Sequence, residues 1–407
     1  MSLGNHLRRA TAFMLALSFA ADAAAQLWTI ANSPTGLSLS VINGRKAIVT
    51  PSGLHVVFSD SVNVKYSSSP DGSPASWSAP VTVAAVATYP VIASAAGTIG
   101  IAFVQGSWIR YRYRQSNGSW STTYNIAPAG TELSMVGYGN RMHLTWNGST
   151  VAMYTSFPAT SPGNPNSELV SLLPLCGTTA VFKPTIAVAA PPGSAAAPIV
   201  RIAYLYKSWG ASGCPHSASI DLQVSEKRPG MSAFNWNSFN GTLSIVINSP
   251  SSISMAAIPG TGEFYLLISG VGNAGIATTD LLYQNAWGTG AWKRYQIAAR
   301  WTLADVSVDC GRFRIAVSDF ALGGGGYGPT WYRTGTWQGT GAPQWEESGN
   351  VQVSATGRDP QALFFRSKAT VSTWREIHCV IEERAGANSH LVRHDAHATP
   401  PPPANNC

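Results

Sequence analysis

A two-strand phrase recurs seven times along the chain and constrains its fold more than any other feature. Each copy opens with an alternating apolar strand that ends in a polar residue, and a loop and a second short strand follow. The opening strands lie at 54–60, 99–105, 142–147, 202–207, 264–269, 313–319 and 377–383. A recurrence of roughly 40 to 60 residues is typical of propellers and solenoids. The period-2 alternation between turn-forming segments indicates strands rather than helices.

A periodic tryptophan supports the same interpretation. Five tryptophans each follow a Gly/Ser-rich turn and open a further strand: Trp77, Trp120, Trp236, Trp292 and Trp345. Trp28 carries the same mark, so six of the 14 tryptophans are repeat positions. A tryptophan that recurs with the repeat is most simply a packing element.

These patterns predict an all-β fold, a single β-propeller of four-stranded blades with strands a to d from the centre outward. Seven blades are predicted, with six as the alternative. The predicted blade limits are 44–86, 87–128, 129–174, 180–247, 248–299, 300–354 and 358–397. The last repeat lacks an outer strand, and the stretch 27–32 is free to supply it. We therefore expect the N-terminal strand to close the ring and remove a sheet edge.

The predicted domains are a signal peptide at 1–25, the propeller at 26–397 and a Pro-rich tail at 398–407. Arg8 and Arg9 precede an apolar stretch, and alanines lead to a cleavage site before Gln26. That stretch is too short to span a bilayer. The chain is expected to be secreted or periplasmic, with no transmembrane segment.

Charge and composition limit the classes of binding partner that the sequence predicts. Only 11% of the residues are charged, and the formal net charge is +7. Removing Arg8, Arg9 and Asp22 with the signal peptide leaves +6 (7 − 2 + 1). This excess favours an anionic polymer as partner, but the basic residues form no runs, so no nucleic-acid role is predicted. No cofactor is predicted either.

Five cysteines would enter an oxidising compartment. We expect Cys176 to pair with Cys214, and Cys310 with Cys379. Cys407 is then left over and available for a disulfide-linked partner. No CxxC spacing supports a zinc or thioredoxin-type site.

Two turns resemble a known motif. Ser69-Pro70-Asp71-Gly72-Ser73-Pro74-Ala75-Ser76-Trp77 resembles the Asp-box turn of sialidase-like propellers, and Gln115-Ser116-Asn117-Gly118-Ser119-Trp120 is a shortened relative. In that family the turn joins strands c and d on the face away from the active site. The resemblance implies a sialidase-type propeller, which usually has six blades.

The resemblance does not extend to the family's catalytic set. A sialidase needs three arginines, a tyrosine nucleophile beside a glutamate, and an acid/base aspartate. The family's Phe/Tyr-Arg-Ile-Pro sequence is absent, and the region reads Gly44-Arg45-Lys46-Ala47 instead. Fold likeness alone does not carry activity. Rim carboxylates remain as catalytic candidates: Asp60, Asp319 and Glu383.

The ends of the second strands provide the predicted ligand-binding ring. In a propeller the b–c loops open on one face around the channel. The ring candidates are Asp60, Gln105, Asn147, Lys207, Ser269, Asp319, Glu383 and the neighbouring Arg384, with Trp108, Trp209 and Tyr327 in the same loops. Aromatic faces beside amides and carboxylates suit sugar rings. The alternative is that these residues only close turns.

Two further clusters are interpreted structurally. Arg110, Arg112 and Arg114 share one strand face, either as an anion clamp or, as we prefer, as a polar outer-strand face. His390, His394 and His397 with Asp395 either bind a metal or lie on a fraying last strand. We favour the second interpretation and predict no metal.

Three functions follow from the sequence. The first is glycan or polymer binding by a secreted propeller without catalysis. The second is an exo-acting, sialidase-like glycoside hydrolase that uses rim carboxylates. The third is a structural or adhesion module.

Overall fold

The computed structural model describes fourteen stretches of the chain: 26–33, 38–39, 44–170, 178–190, 198–209, 220–235, 247–258, 261–272, 277–284, 292–298, 302–319, 327–337, 341–384 and 390–399. Strands dominate them, and the one helical element within these stretches is a 3₁₀ turn at Pro74–Ser76. Across the same residues, no helix has the length and apolar character needed to cross a membrane.

Strand β1 (Gln26–Ser33) pairs with the far end of the chain, and the first local sheet follows it. The four antiparallel strands of this sheet lie in sequence order: β2 (Ala47–Thr50), β3 (Gly53–Ser59), β4 (Val64–Ser69) and β5 (Val81–Ala84). Strand β3 is buried from Gly53 to Phe58 without interruption. This pattern is expected of a strand whose sheet is covered on both faces.

Two more four-stranded sheets repeat the same antiparallel order. The second contains β6 (Thr88–Ala95), β7 (Thr98–Gln105), β8 (Trp108–Tyr113) and β9 (Tyr124–Pro128). The third contains β10 (Thr131–Tyr138), β11 (Arg141–Asn147), β12 (Ala152–Pro158) and β13 (Glu168–Leu169).

The next two repeats are joined in a seven-stranded sheet. Its strands are β14 (Thr178–Ala189), β15 (Ile199–Trp209), β16 (Ile220–Lys227), β17 (Ile247–Ala257), β18 (Phe264–Gly272), β19 (Ala277–Gln284) and β20 (Lys293–Ala298). A single register pair, Ile220 with Ile247, connects β16 to β17. The sheet therefore consists of two repeat units that share one described backbone pairing and pack against each other through their side chains.

The remaining strands and β1 form an eight-stranded sheet. These strands are β21 (Thr302–Asp309), β22 (Arg312–Asp319), β23 (Gly328–Thr336), β24 (Gln344–Trp345), β25 (Val351–Lys368), β26 (Trp374–Arg384) and β27 (His390–Thr399). The start of β25 pairs with β23, and its later part pairs with β26. One long strand thus serves two consecutive repeats.

The first strands of the repeats follow one another around a common centre. Contacts run from β2 to β6, β10, β14, β17, β21 and β25, and β25 contacts β2 again. Hydrophobic clusters fill the space between neighbouring sheets, as where Val57 and Tyr66 meet Ile92 and Ile101. Sheets packed face to face around a centre form a β-propeller, so the predicted fold is confirmed at this level.

The repeat tryptophans pack between sheets. Trp77, Trp120 and Trp345 are partly buried against separate hydrophobic clusters, and Trp292 is a buried member of another. Trp236 lies outside the described residues. The periodic tryptophan is therefore a packing element in this part of the fold.

The two ends of the described chain meet in one sheet. Strand β1 runs antiparallel to β27, with Trp28 opposite His394. β27 pairs with β26 on its other edge, and His394 and Asp395 are fully buried. The interpretation of 390–397 as a fraying strand is therefore wrong. β27 also continues to Thr399, beyond the predicted propeller limit of 397.

One cysteine assignment can be corrected. Cys379 is a free, buried cysteine, so the predicted Cys310–Cys379 disulfide is wrong. Cys176, Cys214, Cys407 and the predicted signal peptide lie outside the described residues.

Antiparallel pairing divides the molecule into two faces. The start of each first strand lies on the same side as the turn between the second and third strands. We call this side the loop face. The opposite side, which carries the turns between the first and second strands, is the hairpin face.

Candidate functional site at the channel mouth

Four first strands are bulged where they enter the channel from the loop face. At each point the pairing with the second strand shifts register. A non-glycine residue with positive φ lies there: Tyr89 (51°), Glu132 (56°), Lys183 (51°) and Asp359 (47°). Bulges redirect side chains, and left-handed backbone at such residues costs roughly 1–3 kcal/mol. Strain at four equivalent positions marks this end of the channel, the channel mouth, as the candidate site.

Glu132 connects two of these bulges. Its Oε2 accepts hydrogen bonds from the backbone N–H of Lys183, at 2.7 Å, and from the side-chain amide of Asn147, at 3.2 Å. Burial lowers the pKa of Lys183, while the carboxylates of Glu132 and Asp359 oppose that shift. Three of the four bulged residues therefore interact electrostatically across the mouth.

Lys46 is a buried cation at the same level. Its side chain is almost inaccessible, its backbone N–H donates to Oε1 of Gln361 at 2.6 Å, and its ammonium donates to the carbonyl of Pro90. Burial lowers the pKa of Lys46 to about 7, and Asp359 opposes the shift. A lysine whose pKa lies near physiological pH is a feature of functional sites.

A tyrosine–glutamate pair lies beside Asp359. The Tyr327 hydroxyl donates to Oε1 of Glu382, and Oε2 of Glu382 accepts the Leu39 N–H at 3.2 Å. Arg358 lies over the Tyr327 ring, 5.7 Å from its centroid. Burial raises the pKa of Glu382, opposed by the Tyr327 hydrogen bond and by Arg358. The pair therefore places a phenol next to a carboxyl group that retains its proton more readily than an exposed one.

A cavity continues from the mouth along the first strands. Its volume is about 520 Å³, and Ser134, Thr185 and Ser254 contribute hydroxyl groups to its wall. Arg45 crosses it from the β2 side to Asp305 on β21, with Nη1 3.5 Å from Oδ2. The guanidinium also donates to main-chain carbonyls of β21 and β25. Arg45 thus connects β21 and β25 to the segment before β2, and it adds a charged group to a wall that is otherwise largely apolar.

Two aromatic side chains remain exposed on the loop face. Among the described residues, Trp108 (40%) and Tyr89 (37%) are the large aromatic side chains with strong exposure. Trp108 begins β8 beside the turn after β7, and Tyr89 is the bulged residue of β6 in the same sheet. Val62 and Val86 are also exposed, and the Ala87 N–H donates to the Val62 carbonyl at 3.0 Å. We call Val62, Val86, Tyr89 and Trp108 the aromatic patch.

Asp60 and Gln105, two members of the predicted ring, bind neighbouring residues of the same loop face. Asp60 accepts the Asn63 N–H at 2.7 Å and lies 3.3 Å from the Lys65 ammonium. Gln105 donates to the Ala85 carbonyl at 2.6 Å. Both lie on the loop face, where their contacts close turns.

Of the next two predicted ring residues, Asn147 contacts the channel mouth and Asp319 does not. Asn147 binds Glu132 and so belongs to the channel mouth. The Asp319 carboxylate accepts the Trp331 indole N–H at 3.3 Å, within its own sheet.

Glu383 and Arg384 end β26. Glu383 is buried, accepts the Ser354 hydroxyl at 2.6 Å and pairs with Arg393, while Arg384 is exposed. Alternation along the strand turns Glu382, not Glu383, toward Tyr327. Asp60, Asp319 and Glu383 thus have separate partners, and their catalytic assignment stays a prediction.

Lys207 and Trp209 are described only through their backbone. They pair with Ile220 and Thr178 near the loop-face end of β15. Their proposed contact with a ligand also stays a prediction.

Arg112 of β8 and Arg114, just after its end, join the first two sheets. Arg112 donates to the Val83 carbonyl at 2.6 Å, and Arg114 donates to the Tyr66 hydroxyl at 2.8 Å. Arg110 binds Gln105 at 2.7 Å. These contacts agree with a polar outer-strand face.

Sequence reasoning missed five residues of the mouth: Lys46, Glu132, Lys183, Asp359 and Glu382. A usable signal was present in three first strands, which contain the pairs Tyr89-Pro90, Lys183-Pro184 and Asp359-Pro360. Proline cannot donate to the sheet and is typical of bulges. The repeated X-Pro pair therefore indicated where these strands depart from regular pairing.

No family model matches the chain, and no curated protein matches it. Among solved structures, the chain is similar to a prolyl endopeptidase with a TM-score of 0.46 and 12% identity over 92% of this chain. It spans 51% of that enzyme, about half its length.

Two other solved structures are similar over most of their own length. The fucose-specific lectin from Aleuria aurantia aligns with a TM-score of 0.41 and 12% identity, covering 77% of this chain and 96% of the lectin. The Dos1 propeller aligns with a TM-score of 0.44 and 8% identity, covering 91% and 95%. Similarity at this level assigns neither a family nor an activity to the chain.

Proposed function

We propose that the chain is a secreted, seven-bladed β-propeller whose loop face binds glycans or another extracellular polymer. The seven first strands around the channel support the blade number. The pairing of β1 with β27 supports closure by the N-terminal strand. The leader-like sequence at 1–25 supports export.

The aromatic patch is the observation that carries the binding proposal. Exposed apolar patches bordered by polar groups mark interaction sites, and aromatic rings stack on the apolar faces of sugars while hydroxyl groups take hydrogen bonds. Tyr89 and Trp108 belong to strands two positions apart in one sheet, so their backbones are separated by roughly 10 Å. Two stacking platforms at that spacing suit an oligosaccharide rather than a single sugar.

Charge favours an acidic polymer. The chain without residues 1–25 carries an excess of six positive charges (7 − 2 + 1). Lys183 lies at the mouth with Glu132 and places a cationic side chain near the proposed surface. A uronic-acid polysaccharide combines the apolar ring faces and the acidic groups that this surface can recognise.

Alanine substitution of Trp108 and Tyr89 tests the proposal on a glycan array followed by titration calorimetry. Loss of one stacking aromatic should weaken binding of the best glycan by about 1–3 kcal/mol, which is about 5- to 150-fold in affinity. Trp77→Ala and Trp120→Ala should instead lower thermal stability first, because both side chains pack between sheets.

A matched valine pair controls for position. Val86→Ala, in the patch, should reduce affinity, whereas Val371→Ala should not, since Val371 is 92% exposed in the β25–β26 hairpin on the opposite face. Unchanged affinity in folded Trp108→Ala and Tyr89→Ala proteins would rule out this surface.

A second candidate function is glycan hydrolysis, favoured by the Tyr327–Glu382 pair. Glu382 accepts the phenolic hydrogen, so it is placed to take that proton as the phenol oxygen attacks an anomeric carbon and the bond from that carbon to the leaving sugar oxygen breaks. Asp359 lies next to Arg358, which is 3.1 Å from its Oδ2, and offers a further carboxyl group at the mouth.

Turnover assays on every glycan that binds separate the two functions. Release of reducing ends that is lost in Tyr327→Phe but not in Trp108→Ala would favour hydrolysis. Binding without product, with Tyr327→Phe binding normally, would favour recognition alone.

A further inference from the structure

A second polar cluster lies away from the mouth, between β26, β27 and β23. His378 comes from β26, and Asp395 and His397 come from β27. One potential ligand atom from each lies within 4.8 Å of the others. The sequence pattern pointed to His390, His394 and His397, but His378 takes the place of the first two.

A β-bulge assembles the cluster. The register between β26 and β27 shifts between Glu376 and Val380, which leaves successive N–H groups of β26 pointing toward β27. Oδ1 of Asp395 accepts both, from His378 at 3.0 Å and from Cys379 at 2.7 Å. The carboxylate is therefore held by main chain, and its other oxygen faces the histidines.

The second oxygen of Asp395 lies between two imidazole nitrogens. Oδ2 is 2.7 Å from Nδ1 of His378 and 3.1 Å from Nε2 of His397. Ligand atoms around a tetrahedral zinc ion, with bonds near 2.0–2.1 Å, are separated by roughly 3.3 Å. Both distances would therefore lengthen when the ion binds, and the three ligand atoms already lie within 4.8 Å of one another.

The surroundings orient these ligands. Nε2 of His378 lies 3.5 Å from Oε1 of Glu376, the arrangement in which a metal-bound histidine directs its other N–H to a carboxylate. Arg314 and Arg366 pair with Glu376. The Tyr332 ring stacks on His378, with centroids 4.0 Å apart and an interplanar angle of 7°.

We propose that His378, Asp395 and His397 bind a zinc ion, with water as the fourth ligand. Two imidazoles and one carboxylate are a donor set suited to zinc. The His397 and Glu376 side chains are 11% and 12% exposed, so the edge of the cluster reaches the protein surface. The site joins two strands of the last repeat to β23 of the preceding one and is independent of the loop face.

Metal titration of the chelator-treated full chain tests this site. We expect one equivalent of Zn²⁺ by calorimetry and, with Co²⁺, the visible absorption of a tetrahedral ion. His397→Ala removes the partly exposed ligand and should weaken zinc binding at least about tenfold. Asp395→Asn can still accept both backbone N–H groups and should also lose affinity.

His390→Ala serves as the control, because it removes a histidine from the same strand at the loop face. It should bind zinc as the unmodified chain does. No Zn²⁺ or Co²⁺ binding by the folded chain, or equal binding in His397→Ala, would overturn the proposal and leave the cluster as a hydrogen-bond network.

Discussion

At the scale of single residues, Lys46 shows how the fold changes the pKa of a side chain. The sequence places it in an ordinary polar stretch, Gly44-Arg45-Lys46. In the fold its ammonium is buried away from water, and this burial disfavours the charged form. The ammonium keeps one hydrogen bond, to the main-chain carbonyl of Pro90. The pKa consequently falls from 10.5 to about 7.

This shift predicts a pH-dependent stability. An unfolded lysine stays protonated to about pH 10.4, whereas folded Lys46 releases its proton near 7. Between these values the unfolded state binds more protons, so the free energy of unfolding should rise with pH. Below about pH 7 both states are protonated and Lys46 contributes no slope.

Urea unfolding at several pH values from about 7 to 9.5 measures this slope. Lys46→Met should flatten the rise, while Lys368→Met, at an exposed lysine of β25, should leave it unchanged. An identical slope in Lys46→Met would show that the lysine is not responsible.

At the scale of elements, β1 provides the outer edge of the last sheet. Ile30 and Ala31 are buried in a hydrophobic cluster with residues of β3, β25 and β26. The neighbouring Trp77 indole donates to Nε2 of His394 at 3.0 Å. The strand from the beginning of the chain therefore contributes to packing between the first and last repeats.

A chain that starts at Pro34 instead of Gln26 tests the contribution of β1. It leaves β27 with an open edge and removes the burial of Ile30, worth at least about 2 kcal/mol. Thermal and urea denaturation should both show the loss. A chain that ends at Thr399 is the matched control, because it removes the same number of residues from the other end. Equal stability of the two truncations would contradict closure by β1.

At the scale of the whole molecule, close approach of first strands limits which residues fit around the channel. A Cβ at Gly137 in β10 would overlap the carbonyl oxygen of Ser94 in β6. Glycine is needed there because two backbones of neighbouring sheets nearly touch.

Gly137→Ala should therefore push two sheets apart and destabilise the propeller by about 1–3 kcal/mol. Gly349→Ala is the control, since a Cβ there meets no neighbouring atom, and it should change stability by less than about 0.5 kcal/mol. Urea midpoints compare the two, and similar midpoints would show that the sheets tolerate the extra methyl group.

Most of the candidate site could not be predicted from the sequence. The predicted ring at the ends of the second strands lies on the loop face, and it included Asn147 and Tyr327, which lie at the mouth. It included Glu383 but not Glu382, because a one-residue difference reverses the face of a strand. It also omitted Lys46 and Lys183, whose importance comes from burial against distant parts of the chain.

What the sequence by itself determined is the strand content, the repeat and the packing role of the periodic tryptophans. These depend on side-chain alternation and turn residues, which act over a few neighbouring positions. The tertiary structure alone decided which polar groups meet. Lys46 and Gln361 bond across 315 positions of the chain, and Tyr327 and Glu382 across 55. Such contacts depend on bulges, strand register and the closing of sheets around the channel, which no local pattern encodes.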